Sequence, residues 1–124
     1  MLSRGDDVVH RFAEACRRGD LDEIRAALDT AAAAVCDGGG VVPTVGAVHG
    51  AGEVAELAVA VLCGPNTVLT VEAVNGRAGL AVRRAGRAVA VIAVETAGTG
   101  ITALWIVLNP AKLHRWHRAR PVPD

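Results

Sequence analysis

The chain has 124 residues, 52% of them apolar, and a formal net charge of zero. That length fits a single domain over residues 1–124. The charge balance excludes a nucleic-acid footprint spread over the whole domain, which needs clustered excess Lys and Arg. Alanine and valine dominate, with one phenylalanine (Phe12), two tryptophans (Trp105, Trp116) and no tyrosine. A core of such small side chains must rest on many minor contacts and on backbone pairing.

Ser3 with Asp6 three residues on reads as a capping box, and Asp6 and Asp7 suit the positive end of a helix dipole. Val8, Val9, Phe12, Ala13 and Cys16 share one helical face, which predicts a helix over 4–18 stopped by Arg17, Arg18 and Gly19. Asp20 and Glu23 form a second box. Leu21, Ile24, Leu28 and Ala31 continue on one stripe, predicting a helix over 20–31. "AAAVC" (32–36) either extends that helix or starts a short strand, and the glycines of "CDGGGVVP" (36–43) end it. Pro43 keeps the chain extended but interrupts strand pairing. A third helix is predicted over 50–63, where Val54, Leu57, Ala58, Val61 and Leu62 share a face and Gly64-Pro65 close it.

The second half changes period. Stretches 67–74, 79–84, 87–96 and 101–108 are rich in valine and isoleucine and read as strands. Asn75-Gly76 predicts a tight hairpin turn, since both residues must take positive φ. Ala85-Gly86 and "AGTG" (97–100) separate the later strands, giving a four-stranded antiparallel meander. Strand 87–96 is apolar on both faces up to Glu95, which implies cover on both sides. Asn109-Pro110 reads as a helix start, with Leu113 and Trp116 docking that short helix. The expected class is α+β, with helices on one face of a curved antiparallel sheet. Lys112, His114, Arg115, His117, Arg118 and Arg120 make 110–124 a basic tail, read as a solvated one.

Cys16, Cys36 and Cys63 are odd in number, match no metal or redox spacing, and sit in apolar settings, so buried reduced thiols are expected. No signal peptide is visible. The apolar runs 57–63 and 88–94 fall far short of the ~20 residues that span a bilayer. A cytoplasmic protein without membrane contact is the expectation.

Four stretches together resemble a known family. "RFAEACRRGDLDEIRAAL" (11–28) is similar to an opening helix pair with a "GDLD" junction, "DGGG" (37–40) to a glycine motif, "VNGRAG" (74–79) to a "VNGxPG" turn, and "NPAKL" (109–113) to an "NPDKL" signature. They resemble the SnoaL-like branch of the nuclear-transport-factor-two-like fold, a cystatin-like roll in which helices close a cone of curved sheet. More narrowly, they resemble the domain at the C-terminus of one group of extracytoplasmic-function sigma factors. The resemblance runs from about Val8 to Leu113. Family members carry a lysine where this chain has Val41, an acid at Ala111 and a proline at Ala78. They also precede the domain with promoter-reading regions that this sequence lacks, so direct promoter or other nucleic-acid recognition is not expected of it.

The chemistry these residues allow is limited. "CDGGGVVP" lacks the Lys and Ser or Thr of a phosphate loop, and Asp37 would repel an anion. His10, His49, His114 and His117 are scattered, so no metal and no other cofactor is expected. Proteins of the resembled fold use the cone for isomerisation, cyclisation or epoxide opening, which implies a cavity with a buried acid. Asp37 and His49 are the acid–base candidates at its mouth, and Glu95 and Trp105 are further candidate cavity residues. Three of them have a plainer reading: Asp37 as a turn residue, His49 as a surface residue before a helix, Trp105 as core. Epoxide-hydrolase-like sites want two acids bridged by an arginine; Glu72, Arg83, Arg84 and Glu95 could point inward, though strand parity alone does not bring them together. The resemblance also implies partner contact through Asp37, Gly38, Gly39, Gly40, Asn109, Pro110, Lys112 and Leu113. On the other reading the glycines bend the sheet and Asn-Pro caps a helix.

The leading expectation is a non-enzymatic regulatory or small-ligand module, with a sigma factor or RNA polymerase subunit as partner. The alternative is a small enzyme or carrier acting on an apolar ligand. The apolar strand 87–94 also supports an expected homodimer.

Overall fold

The computed structural model describes residues 4–38, 47–108 and 112–113. Helix α1 (Arg4–Arg18) ends as its sequence requires. Gly19 takes φ +63°, and its N–H and that of Asp20 close on the carbonyls of Cys16 and Ala15 at 3.0 and 3.1 Å. Asp20 then caps α2 (Leu21–Ala26), its carboxylate accepting from the Glu23 N–H. Ser3, the cap expected for α1, lies outside the described residues.

Helix α2 stops at Ala26, short of the expected 31, and β1 (Leu28–Asp37) begins at once. Leu28 and Ala31 therefore leave the helical stripe. Tertiary pairing outweighs their local helix preference: the Ile101 N–H binds the Ala27 carbonyl at 2.9 Å, and Leu28 opens a parallel ladder with Ile101. "AAAVC" is thus strand. Short β2 (Ala47–His49) pairs with β1, and α3 (Ala51–Leu62) follows Gly50, whose φ is +95°.

Strands β3 (Thr67–Val74), β4 (Arg77–Arg84), β5 (Arg87–Ala97) and β6 (Gly100–Val107) form the expected meander. Asn75 and Gly76 both have positive φ, as do Ala85 and Gly86. The sheet is larger and more mixed than four antiparallel strands. Its order is β2-β1-β6-β5-β4-β3, with β1 parallel to β6.

Ladder register sorts side chains onto two faces. Leu69, Leu80, Val82, Ala90, Ile92, Val94, Ala34, Leu104 and Ile106 stand on one face and pack with Phe12, Ile24, Val54, Ala58 and Leu62 of the helices. Phe12, Ile24, Leu62, Leu80, Ile92, Leu104 and Ile106 are all fully buried, so the centre of the layer between sheet and helices is filled by side chains. The outer face carries a smaller cluster, Val74, Ala88, Val91 and Leu113. Strand β5 is covered on both faces along part of its length, as its composition implied. Gly79 sits where a Cβ would meet the Ile92 carbonyl oxygen and the Val74 side chain at 2.6 Å, so only glycine lets these strands close.

Candidate functional site

The outer face gathers the residues of interest. Three rows cross it: Glu95, Ala103, Ala33 and His49; then Ala93, Trp105 and Val35; then Val91, Val107 and Asp37. All four expected cavity residues, Asp37, His49, Glu95 and Trp105, therefore share a face, but it is the face turned away from the helices. Parity is the reason. Leu104 and Ile106 point into the core, which turns Trp105 outward, and it is 52% exposed rather than part of the core. His49 is also exposed, on edge strand β2. It pairs with Ala33, four residues along β1 from Asp37, or roughly 13 Å at strand rise. Asp37 and His49 are thus not brought together as an acid–base pair.

Asp37 has a different partner. Its backbone oxygen accepts the Leu108 N–H at 2.7 Å, which carries the end of β6 alongside the end of β1. Its half-buried carboxylate pairs with Lys112 Nζ at 2.6 Å. Leu113 is buried on the outer face against Val74, Ala88 and Val91. The "DGGG" and "NPAKL" stretches meet here through Asp37 and Lys112, which are 75 residues apart. Gly38 is buried, and Gly39, Gly40, Asn109 and Pro110 lie outside the described residues.

Farther across the same face, Glu72 (2% exposed) and Arg83 (9%) are the buried charged residues among those described. Arg83 grips the Glu72 carboxylate with both terminal nitrogens, Nη2 reaching Oε1 at 2.9 Å. Thr70 donates its hydroxyl to Glu72 and accepts from Arg83 Nη1 at 3.1 Å. The hydrogen bonds to Glu72 hold the Arg83 guanidinium above its ordinary pKa. This arrangement has one acid where an epoxide-opening site wants two. Glu95 stands two strands away on the exposed part of β5, and Arg84 turns to the opposite side of β4. The sequence did hold the signal for the pair. A two-residue turn at Asn75-Gly76 pairs Val74 with Arg77, and that register places Glu72 opposite Gly79, Thr70 opposite Ala81 and Arg83 opposite Val68, all on one face.

On the helix side, a cleft of about 380 Å³ opens between the first turn of α1 and the β3–β4 turn, lined by Asp6, Val9, Arg77, Ala78, Val94 and Thr96. None of the expected cavity residues lines it. Cys16 and Cys36 are buried free thiols and Cys63 is half-buried; burial pushes all three above the ordinary thiol pKa. The Cys63 thiol donates to the Cys16 carbonyl at 3.0 Å. Among the described residues, no three His, Cys, Asp or Glu side chains come together as a metal group. No helix among them is long and apolar enough to cross a membrane.

No family model and no curated protein matches the chain. Solved structures do. The crystal structure of the Mycobacterium tuberculosis extracytoplasmic function sigma factor SigJ is similar over 91% of this chain, with TM-score 0.68 and 25% identity. The match covers 45% of SigJ, so this chain spans under half of that protein's length. An NTF2-like protein of unknown function from Cytophaga hutchinsonii matches over 91% of this chain and 96% of its own, with TM-score 0.57 and 13% identity. A protein of unknown function with a cystatin-like fold from Methylobium petroleophilum matches over 85% and 76%, with TM-score 0.59 and 15% identity. The fold is NTF2-like and cystatin-like, and it is the fold of the matched part of SigJ.

Proposed function

We propose that this NTF2-like domain, similar to part of a sigma factor, is a regulatory module that works by protein contact. The supporting observation is the Asp37–Lys112 ion pair, which draws the two stretches implicated by resemblance onto one surface. The pair is partly solvated, with Lys112 60% exposed, so it contributes little to folding, on the order of 0–1 kcal/mol. Lys112, the lysine of the "NPAKL" stretch, supplies a cation beside Asp37. The partner proposed is a sigma factor or an RNA polymerase subunit. Affinity capture from the source organism tests this: an identified sigma factor or polymerase subunit should be enriched, and enrichment should fall with Asp37→Lys. Capture of neither overturns the reading.

A second reading is binding of a small ligand in the helix-side cleft. Its volume falls within the roughly 300–1,000 Å³ of small-molecule sites, and its lining sets Asp6, Arg77 and Thr96 beside the buried Val9, Ala78 and Val94, which suits a ligand with polar groups more than a wholly apolar one. A thermal-shift screen of small polar and amphipathic compounds checks it; Val94→Trp, which fills the cleft, should abolish any shift.

A further inference from the structure

A second feature of the outer face has no part in either reading. Trp105 stands on β6 between Ala93 and Val35, and beside it Glu95, Ala103 and Ala33 form the next row. Together they line a hollow of about 120 Å³. Small side chains on both sides leave the indole standing clear, and Glu95 is exposed at one rim. The Glu95 backbone oxygen accepts from Thr102 at 3.3 Å, while its carboxylate forms none of the ion pairs found among the described residues.

We propose that this hollow receives an arginine side chain of a partner protein, its guanidinium stacked on Trp105 and forked to the Glu95 carboxylate. The volume is well below the ~300 Å³ at which small-molecule sites begin, and it suits one planar head group. The charge complementarity is specific. An indole face and a carboxylate both attract a cation, and the apolar floor favours the weakly hydrated guanidinium over a strongly hydrated ammonium. The hollow is continuous with the Asp37 surface, since Val35 lies two residues before Asp37 on β1 and Trp105 two before Val107 on β6. The inference goes beyond the regulatory reading, because any partner presenting an arginine satisfies it.

The test is a titration of the full chain with the peptides acetyl-Gly-Arg-Gly-amide, its lysine analogue and its norleucine analogue. The readout is the Trp105 indole N–H resonance, assigned with Trp116→Phe. The arginine peptide should shift it saturably at millimolar concentration. Its binding should be roughly three- to tenfold tighter than that of the lysine analogue, and at least as much tighter than that of the norleucine analogue. Glu95→Gln should reduce the preference for arginine over norleucine severalfold, leaving the share owed to the indole, with the amide spectrum otherwise unchanged. Equal shifts with norleucine, or no shift with arginine, overturn the proposal. A resonance that moves with protein concentration and resists the peptide means that a second copy fills the hollow. One that moves when Arg115, Arg118 and Arg120 are changed to Gln means that the chain's own basic segment does. Either result also overturns it.

Discussion

The two faces of the sheet are made differently. On the helix side, Phe12, Ile24, Leu62, Ile92, Leu104 and Ile106 interlock with no charged group among them. On the outer side, a buried Glu72–Arg83 pair, a small cluster around Leu113, an exposed tryptophan and an aspartate–lysine pair lie within one sheet's width. The helix face spends its apolar residues on stability. The outer face carries polar and aromatic groups that a stability-only design would avoid, and both contact surfaces inferred above lie there.

Perturbing each face should separate these roles. The largest effect is expected from Phe12→Ala, which empties the most bulky site between α1 and the sheet and should cost about 3–5 kcal/mol in urea unfolding. Arg83→Ala comes next, at about 3 kcal/mol, because it strands the Glu72 carboxylate in a buried setting. The double change Glu72→Leu with Arg83→Met should recover most of that loss, since it leaves no buried charge without its partner.

A pH series probes the helix side through Cys16. In the unfolded chain its thiol ionises from about pH 9, whereas burial keeps it protonated to higher pH in the folded chain. Above pH 9 the unfolded state therefore binds fewer protons. Stability is fully present below that pH and falls as pH rises, by up to about 1.4 kcal/mol per unit for this one thiol. With no tyrosine and a single lysine, the other groups that add to this slope are the Cys36 and Cys63 thiols, which burial also raises. Cys16→Ala should lower the baseline and make the slope between pH 9 and 10 shallower, leaving the share of Cys36 and Cys63.

The smallest effects belong to the surface. Asp37→Ala should change stability by less than about 1 kcal/mol while weakening any partner capture. Ala85→Asn, at a turn where alanine is held at φ +53°, should raise the urea midpoint by an amount worth about 1 kcal/mol.

Much of this molecule was legible in its sequence, for local reasons. Capping at Asp20, the glycine stop at Gly19, the Asn75-Gly76 turn and the valine-rich strands act over a few residues, and each appears in the structure near the expected place. The register that unites Thr70, Glu72 and Arg83 was readable too, since a two-residue turn dictates it. Only the tertiary structure decided that residues 28–31 are strand, because the partner that recruits them, β6, lies some 70 residues later. It also decided that Asp37, His49, Glu95 and Trp105 face outward. Strand parity assigns residues to alternate faces, but which face is the inner one depends on where the helices pack, and that is a property of the assembled core.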